Sequence, residues 1–215
     1  MKLLNQLERK LYRLPLKPFF RYMVLAMAGI YVLELFFPTF NLISRMSLFT
    51  APLLRGEIWR VLTFLIVPPF GGILQAALSL YFFFFIGTAL ETRWGVRRFF
   101  LFYVIGAVFA IIAAFFTGYG TNLYLNLSLF FAFAVIYPDY QILLFFVLPI
   151  KVKWLALLNL IFYFASLING PVYTRAAIIA SLLHILLFFG GDLTNMARST
   201  INQWKRRQAF KKNSR

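Results

Sequence analysis

The sequence predicts an all-α membrane protein, and its composition and apolar pattern both support this fold class. Hydrophobic residues occupy 62% of the 215 positions and charged residues only 13%, whereas a soluble domain is roughly 45–50% apolar and about one quarter charged. A water-soluble fold of this length has too little interior to bury so much apolar surface. The apolar stretches show no strand-like alternation, so each must cross the bilayer as a helix that satisfies its own backbone hydrogen bonds.

Six apolar stretches are candidates for membrane-spanning helices. A helix needs about 20 residues to cross roughly 30 Å of hydrocarbon. The predicted spans are residues 20–37, 73–90, 99–117, 123–137, 154–168 and 175–189. Residues 141–149 are also apolar but too few to cross, and we interpret them as an interfacial segment or as the lead-in to the fifth span.

Basic residues predict the orientation of these spans. The chain has 22 Lys and Arg against 6 Asp and Glu, and the basic residues collect in the N-terminal segment, after span two, before span five and in the tail. Short loops rich in Lys and Arg stay in the cytoplasm. We therefore divide the chain into a basic cytoplasmic segment (1–19), a membrane domain (20–191) and a basic cytoplasmic tail (192–215). Both termini are predicted to be cytoplasmic.

The N-terminal residues also bear on localisation. Residues 1–21 are basic but lack a short apolar core followed by a cleavage site of small residues, so we predict no removable signal peptide. The first span is expected to remain in the mature protein. Short loops and the lack of organelle signals favour a bacterial plasma membrane.

The residue types present exclude several kinds of chemistry. The sequence has no Cys, which excludes disulfides, thiolate metal sites and cysteine nucleophiles. One His and six acidic residues argue against a metal site, and we expect no cofactor. The seven basic residues of the tail are explained by the anionic lipids of the inner leaflet, at about 1 kcal/mol each. We expect membrane lipids as partners there, and no nucleic acid.

The long outer connection, residues 38–72, carries charged and aromatic residues and begins a set of motifs. Residues 56–63 read Gly-Glu-Ile-Trp-Arg-Val-Leu-Thr, residues 78–81 read Leu-Ser-Leu-Tyr, and residues 90–95 read Leu-Glu-Thr-Arg-Trp-Gly. His184 is followed seven residues later by Gly191. The order of these features resembles the rhomboid superfamily of intramembrane serine proteases and their inactive relatives, including the Derlins.

The resemblance implies a six-transmembrane-helix, rhomboid-like bundle with a long outer loop between helices 1 and 2. It also implies a laterally accessible polar cavity. The residues that we assign to structural or motif positions are Trp59, Arg60, Glu91, Gly95, Asn126 and Gly191.

The charged residues Arg60, Glu91 and Glu34 are expected to have structural roles. Arg60 is expected to lie against the ring of Trp59 and to bond to loop carbonyls. Glu91 is expected to bind amides of the next turn or to pair with a nearby arginine. Glu34, near the outer end of span one, is interpreted as a local structural acid that snorkels or pairs with Arg45.

An intramembrane serine protease needs a serine, a histidine base and oxyanion donors. Ser128 and His184 are the candidates for catalysis, and counting along the helices places them within about 6 Å of each other in depth. However, the family's G-x-S-G is replaced here by bulky residues around Ser128. Aligning the span on Pro138 instead places the nucleophile position at Leu123. The oxyanion positions fall at Gly72 and Ala76, which have no side-chain donors.

Packing offers a further reason to doubt a catalytic pair. Five bulky side chains surround the two polar residues in sequence and are expected to keep them apart: Leu127, Leu129, Ile185, Leu186 and Leu187. In the alternative interpretation, Ser128 bonds to a carbonyl one turn back and His184 is a neutral interhelical donor. Asn126 is then its most attractive partner after Ser128.

Three functional hypotheses follow. The first is a rhomboid-like pseudoprotease that binds transmembrane segments of other membrane proteins. The second is an active intramembrane serine endopeptidase with Ser128 as nucleophile and His184 as base. The third is a transporter, although the spans lack paired charges and repeated, Gly- or Pro-broken half-helices.

Overall fold

The computed structural model describes residues 15–144 and 148–189 and is mostly helical. Each of the six predicted spans overlaps one apolar helix, although these helices differ in length. These helices are α1 (Phe20–Phe36), α2 (Ile73–Trp94), α3 (Val96–Thr117), α4 (Leu123–Ile136), α5 (Val152–Asn169) and α6 (Val172–Phe189). The basic segments at 1–14 and 190–215, together with Gly191, lie outside the described residues.

The lengths of these helices indicate an integral α-helical membrane protein. Within the described residues, α2, α3, α5 and α6 are long and apolar enough to cross a membrane. The helix α1 joins them if it is counted with the segment Pro38–Met46, from which it is bent by 104°. The 14 residues of α4 extend only about 21 Å. Large apolar side chains such as Phe36 and Phe116 remain exposed on the outside of the bundle, as expected for a surface that faces lipid.

The outer connection between α1 and α2 is built from short pieces of structure. It contains helical turns at Pro38–Phe40, Leu42–Met46, Thr50–Leu54, Arg60–Thr63 and Phe64–Ile66. Strand β1 (Leu48–Phe49) pairs antiparallel with β2 (Tyr119–Gly120), which follows α3. The Thr50 hydroxyl donates to the Ala114 carbonyl at 2.8 Å. The connection is therefore fastened to the outer end of α3.

The described residues of the stretch 141–149 precede the fifth helix and are not part of it. They form an antiparallel pair of strands, β3 (Gln141–Leu144) and β4 (Leu148–Lys151), and α5 starts directly afterwards. Asp139 pairs with Lys151 at 3.3 Å and with Lys153 at 2.8 Å. The ammonium groups of Lys153, which contributes most, and of Lys151 hold the pKa of Asp139 below its usual value. The alternative interpretation of this stretch as interfacial stays a prediction.

The helix α2 packs against α1, α3 and α4. Its Gly87 lies directly against the ring of Phe20 in α1, and any Cβ at this position would clash with that ring. Close helix approach at a glycine is typical of membrane bundles, where packing replaces the hydrophobic effect. Aromatic rings fill much of the core, including the fully buried Phe99 and Phe102.

Candidate functional site

The helices α4 and α6 bring Ser128 and His184 together. Ser128 is fully buried and His184 is 1% exposed. The Ser128 Oγ lies 3.5 Å from His184 Nδ1, but its hydroxyl donates to the Leu125 carbonyl at 2.6 Å. The short bond one turn back is thus the stronger of the two, because 3.5 Å is long for a bond from a hydroxyl. This is the arrangement of the non-catalytic interpretation, with the histidine nearby.

The expectation that bulky neighbours keep the pair apart is wrong. Leu186 and Leu187 are exposed on the outer face of α6, so they do not crowd the serine. The space that His184 occupies beside α4 is left by Gly106 in α3. A Cβ at this position would meet His184 Cε1 at 2.7 Å and would also clash with Leu125. The Ser181 hydroxyl donates to the Tyr124 carbonyl at 3.0 Å and fastens α6 to α4.

The surroundings of His184 are closed and largely apolar. The rings of Phe102 and Phe188 lie with their centroids 4.2 Å and 5.4 Å from the imidazole. A cavity of about 10 Å³ adjoins the imidazole, which is room for about one water molecule. The backbone of Phe102 lies near the ring, yet His184 Nε2 has no partner of normal hydrogen-bond geometry within the described part of the chain. Neither side chain of the pair is exposed on the surface of the described structure.

Side-chain oxyanion donors are missing where the resemblance would require them. Gly72 lies just before α2 and Ala76 is fully buried within it, and neither has a side-chain donor. Asn122 has an amide at the start of α4, but it donates to the carbonyls of Leu65 at 3.1 Å and Val67 at 2.9 Å. It therefore fastens the outer connection to α4. Sequence reasoning missed this role.

Asn126 lies on the opposite face of α4 from Ser128, because two residues along a helix correspond to about 200° of rotation. The structure does not bring it to His184. Its side chain is 2% exposed, and its Oδ1 has no hydrogen-bond partner among the residues described. A buried acceptor left unsatisfied costs about 1–3 kcal/mol.

Asn126 is among the residues that line a cavity of about 220 Å³ between α2, α4 and α5, which we name the α2–α5 cleft, although its Oδ1 is itself buried from that space. Helices α2 and α5 each pack against α4, and α2 and α5 hardly touch each other. The cleft is lined by Phe82, Phe83, Ile86, Asn126, Leu127, Leu129, Phe130, Leu155 and Asn159. Seven of these nine side chains are apolar, and the two polar ones are both amides. Asn159 was not singled out by sequence reasoning.

The Trp-Arg motif of the outer connection is structural. The buried Arg60 Nη1 donates to the carbonyls of Ser44 and Ser47, both at 2.7 Å. Its Nε and Nη2 contact the Glu57 carboxylate at 2.8 Å and 2.6 Å. The predicted bonds to loop carbonyls are present. The guanidinium turns towards Glu57 instead of stacking on Trp59, whose side chain is 52% exposed.

The other acidic motif residues hold the ends of α1. Glu91, buried near the end of α2, accepts the backbone N–H of Phe19 at 3.0 Å. The amide belongs to the start of α1 and not to the turn that follows Glu91. Glu34 accepts the N–H of Leu42 at 2.7 Å and so caps the first turn of Leu42–Met46. Glu34 is thus a local structural acid whose observed partner is the Leu42 amide and not Arg45. Gly95 makes the one-residue turn from α2 to α3 with φ +81°.

The described residues contain no group of three or more His, Asp or Glu side chains that could hold a metal ion. Comparison with protein-family models finds no match, and no curated protein matches the chain. The two faces of α4, one carrying Ser128 and the other Asn126, hold the buried polar side chains that bear on function.

Proposed function

We propose that the chain is a rhomboid-like membrane protein that binds transmembrane segments of other membrane proteins and does not cleave them. In this proposal both termini lie in the cytoplasm, and the membrane is a bacterial plasma membrane. The observation that carries the proposal is the α2–α5 cleft, a gap at membrane depth with apolar walls and two amides.

The packing of α5 supports lateral access to this cleft. Only Val152 and Tyr163 of α5 are buried, and most of its large apolar side chains are exposed. A helix attached mainly through α4 can move aside at lower cost than one packed on several neighbours. A transmembrane segment of a client could then lie beside α2 over the exposed part of α4.

The described motif residues also favour a rhomboid-like scaffold. Arg60 donates to a carbonyl of the outer connection, and Glu91 accepts the backbone N–H of Phe19 at the start of α1. Gly95 makes a turn with positive φ, which other residues adopt only with strain. Helices at the six expected positions, in the expected order, support this proposal, and four of them are long and apolar enough to cross a membrane. The resemblance remains one of short motifs and element order.

The lack of peptidase activity is proposed from the Ser128 surroundings. Its proton is directed at the Leu125 carbonyl, and side-chain oxyanion donors are missing at Gly72 and Ala76. Removing one oxyanion donor from a serine protease lowers kcat by about 100- to 1000-fold. A buried pair without such donors is better suited to holding α4 and α6 together.

Photocrosslinking tests the binding proposal. A benzophenone amino acid at Phe83 or Leu155 places the probe in the cleft, and the same probe at Phe116, which is 85% exposed on α3, is the matched lipid-facing control. We expect the cleft probes to capture peptides from single transmembrane segments, identified by mass spectrometry. Equal capture at Phe116, or none in the cleft, would contradict the proposal.

The 3.5 Å approach of Ser128 Oγ to His184 Nδ1 favours a second candidate, an intramembrane serine endopeptidase. There the hydroxyl would turn from Leu125, pass its proton to Nδ1 and attack a peptide carbonyl. A fluorophosphonate that labels the wild type and Ser181→Ala but not Ser128→Ala would establish this activity. Cleavage that survives His184→Ala would indicate a contaminating protease.

A further inference from the structure

A second open space, separate from the α2–α5 cleft, runs along α2 and has a volume of about 700 Å³. We name it the α2 groove. It shares no lining residue with the α2–α5 cleft. Its walls include Phe84, Phe85, Ala89, Thr92 and Arg93 of α2, and Tyr137, which directly follows α4.

The α2 groove is apolar along most of its length and charged at one end. Its lining on α2 extends from Tyr81 to Arg93, over which the helix rises about 18 Å. Phe84, Phe85 and Ala89 lie between these residues, and Arg93 belongs to the last turn of α2. The groove therefore has about the length of one bilayer leaflet, since the whole hydrocarbon core is roughly 30 Å thick.

The guanidinium of Arg93 is the charged group of this lining, and its side chain is exposed. It makes no hydrogen bond or ion pair with any residue of 15–144 or 148–189. The neighbouring Thr92 hydroxyl donates to the Thr88 carbonyl at 2.8 Å, so its proton is already used. The N–H groups of Arg93 are therefore the donors that this end of the groove offers to an outside acceptor.

An occupant must combine an anionic group with a long apolar body. A guanidinium binds phosphate through bidentate, charge-assisted hydrogen bonds, but free phosphate has nothing to place against Phe84 and Phe85. The terminal segments 1–14 and 190–215 are both basic, and a second copy of the chain would bring a net charge of +16. Each of these carries the same sign as Arg93. A phospholipid with net negative charge meets both requirements.

We propose that the α2 groove binds one anionic phospholipid of the cytoplasmic leaflet, with its phosphate on Arg93 and an acyl chain along Phe84, Phe85 and Ala89. The leaflet follows from the predicted orientation, which places Arg93 on the cytoplasmic side, where anionic lipids are concentrated. The inference goes beyond the binding of transmembrane segments and does not depend on it.

Native mass spectrometry of the full chain in detergent tests the inference. The probes are phosphatidylglycerol, which is anionic, and phosphatidylcholine with the same acyl chains, which is zwitterionic. We expect the wild type to bind one phosphatidylglycerol about fivefold tighter than phosphatidylcholine, from the usual contribution of one basic residue near an anionic membrane surface. No client is present in this measurement, so its failure would leave the proposed function as it stands.

Three variants separate a built site from diffuse attraction. Arg93→Gln should abolish the preference for phosphatidylglycerol. Arg98→Gln removes the same charge from an exposed position at the start of α3, outside the groove lining, and should keep the preference. Thr92→Trp fills the groove from an exposed position without changing the charge and should weaken both lipids alike.

Several results would overturn the inference. These are equal binding of the two lipids to the wild type, a preference that persists in Arg93→Gln, an equal loss in Arg93→Gln and Arg98→Gln, and unchanged binding in Thr92→Trp. A dimer that phosphatidylglycerol does not dissociate and that Thr92→Trp abolishes would identify a second copy of the chain as the occupant, and would overturn it too.

Discussion

Ser128 and Asn126, two residues apart on α4, differ in whether their side-chain hydrogen bonds are satisfied. The hydroxyl of Ser128 is satisfied within its own helix by the Leu125 carbonyl, so it gains little from an outside partner. The oxygen of Asn126 has no such bond in the described structure. In a hydrocarbon environment an unused acceptor is costly. At the scale of single residues, Asn126 is therefore the one of the two with an unsatisfied acceptor in the described structure.

Gly106 offers a direct test of how α3, α4 and α6 meet. We expect Gly106→Ala to destabilise the protein by about 1–3 kcal/mol, the usual cost of overpacking, because the new methyl would meet His184 and Leu125. Gly29→Ala, in α1 with nothing within 4 Å of the new Cβ, is the matched control and should be neutral or stabilising. Thermal unfolding in detergent measures both. Equal effects of the two substitutions would contradict the packing described.

Arg60 is the residue on which the outer connection most depends. We expect Arg60→Ala to lower the free energy of unfolding by about 1.5–3 kcal/mol, the usual worth of a charged hydrogen bond, since the Ser44 and Ser47 carbonyls lose their donor. Arg60→Lys should recover only part, because an ammonium cannot reproduce the planar fork. Arg55→Ala, at an exposed position of the same connection, should change little. Denaturant titration compares the three variants.

At the scale of elements, hydropathy located the helices but not the hairpin. Each long apolar stretch became a helix because a lone strand in lipid would leave its amides unpaired. A short apolar run such as 141–149 has no diagnostic period. The turn-forming Pro138 and Asp139 before it, and the β-branched residues within it, are compatible with β3 and β4. Hairpin pairing depends on contacts between the two halves, which a sliding window does not register.

Gly95 connects the motif to the geometry of a whole element. Its φ of +81° and ψ of 152° lie near a region that is essentially restricted to glycine, where another residue costs about 1–3 kcal/mol. We expect Gly95→Ala to lower the unfolding free energy by that amount and to loosen the α2–α3 turn. Gly72→Ala, at φ −68° with open space around the new Cβ, is the control. A thermal shift as small as the control's would show that the turn tolerates a side chain.

At the scale of the whole molecule, the site could be predicted only as far as distances along single helices allow. Counting residues placed Ser128 and His184 at similar depth, and they do approach. The glycine that makes room for them comes from a third helix, α3. The cleft depends on α2 and α5 both packing on α4 without closing over it. Neither arrangement is encoded in the local pattern of one segment, so Gly106 and Asn159 were not recognised from sequence.

The orientation that the basic residues predict is testable because the chain has no Cys. Phe40, exposed after α1, and Asp139, exposed after α4, are separated along the chain by α2, α3 and α4, so they lie on opposite sides if each helix crosses once. The positive-inside rule places Phe40 outside. A membrane-impermeant maleimide added to intact cells should label Phe40→Cys at once and Asp139→Cys only after permeabilisation. Labelling of Asp139→Cys alone would invert the orientation, and labelling of both would contradict three crossings between them.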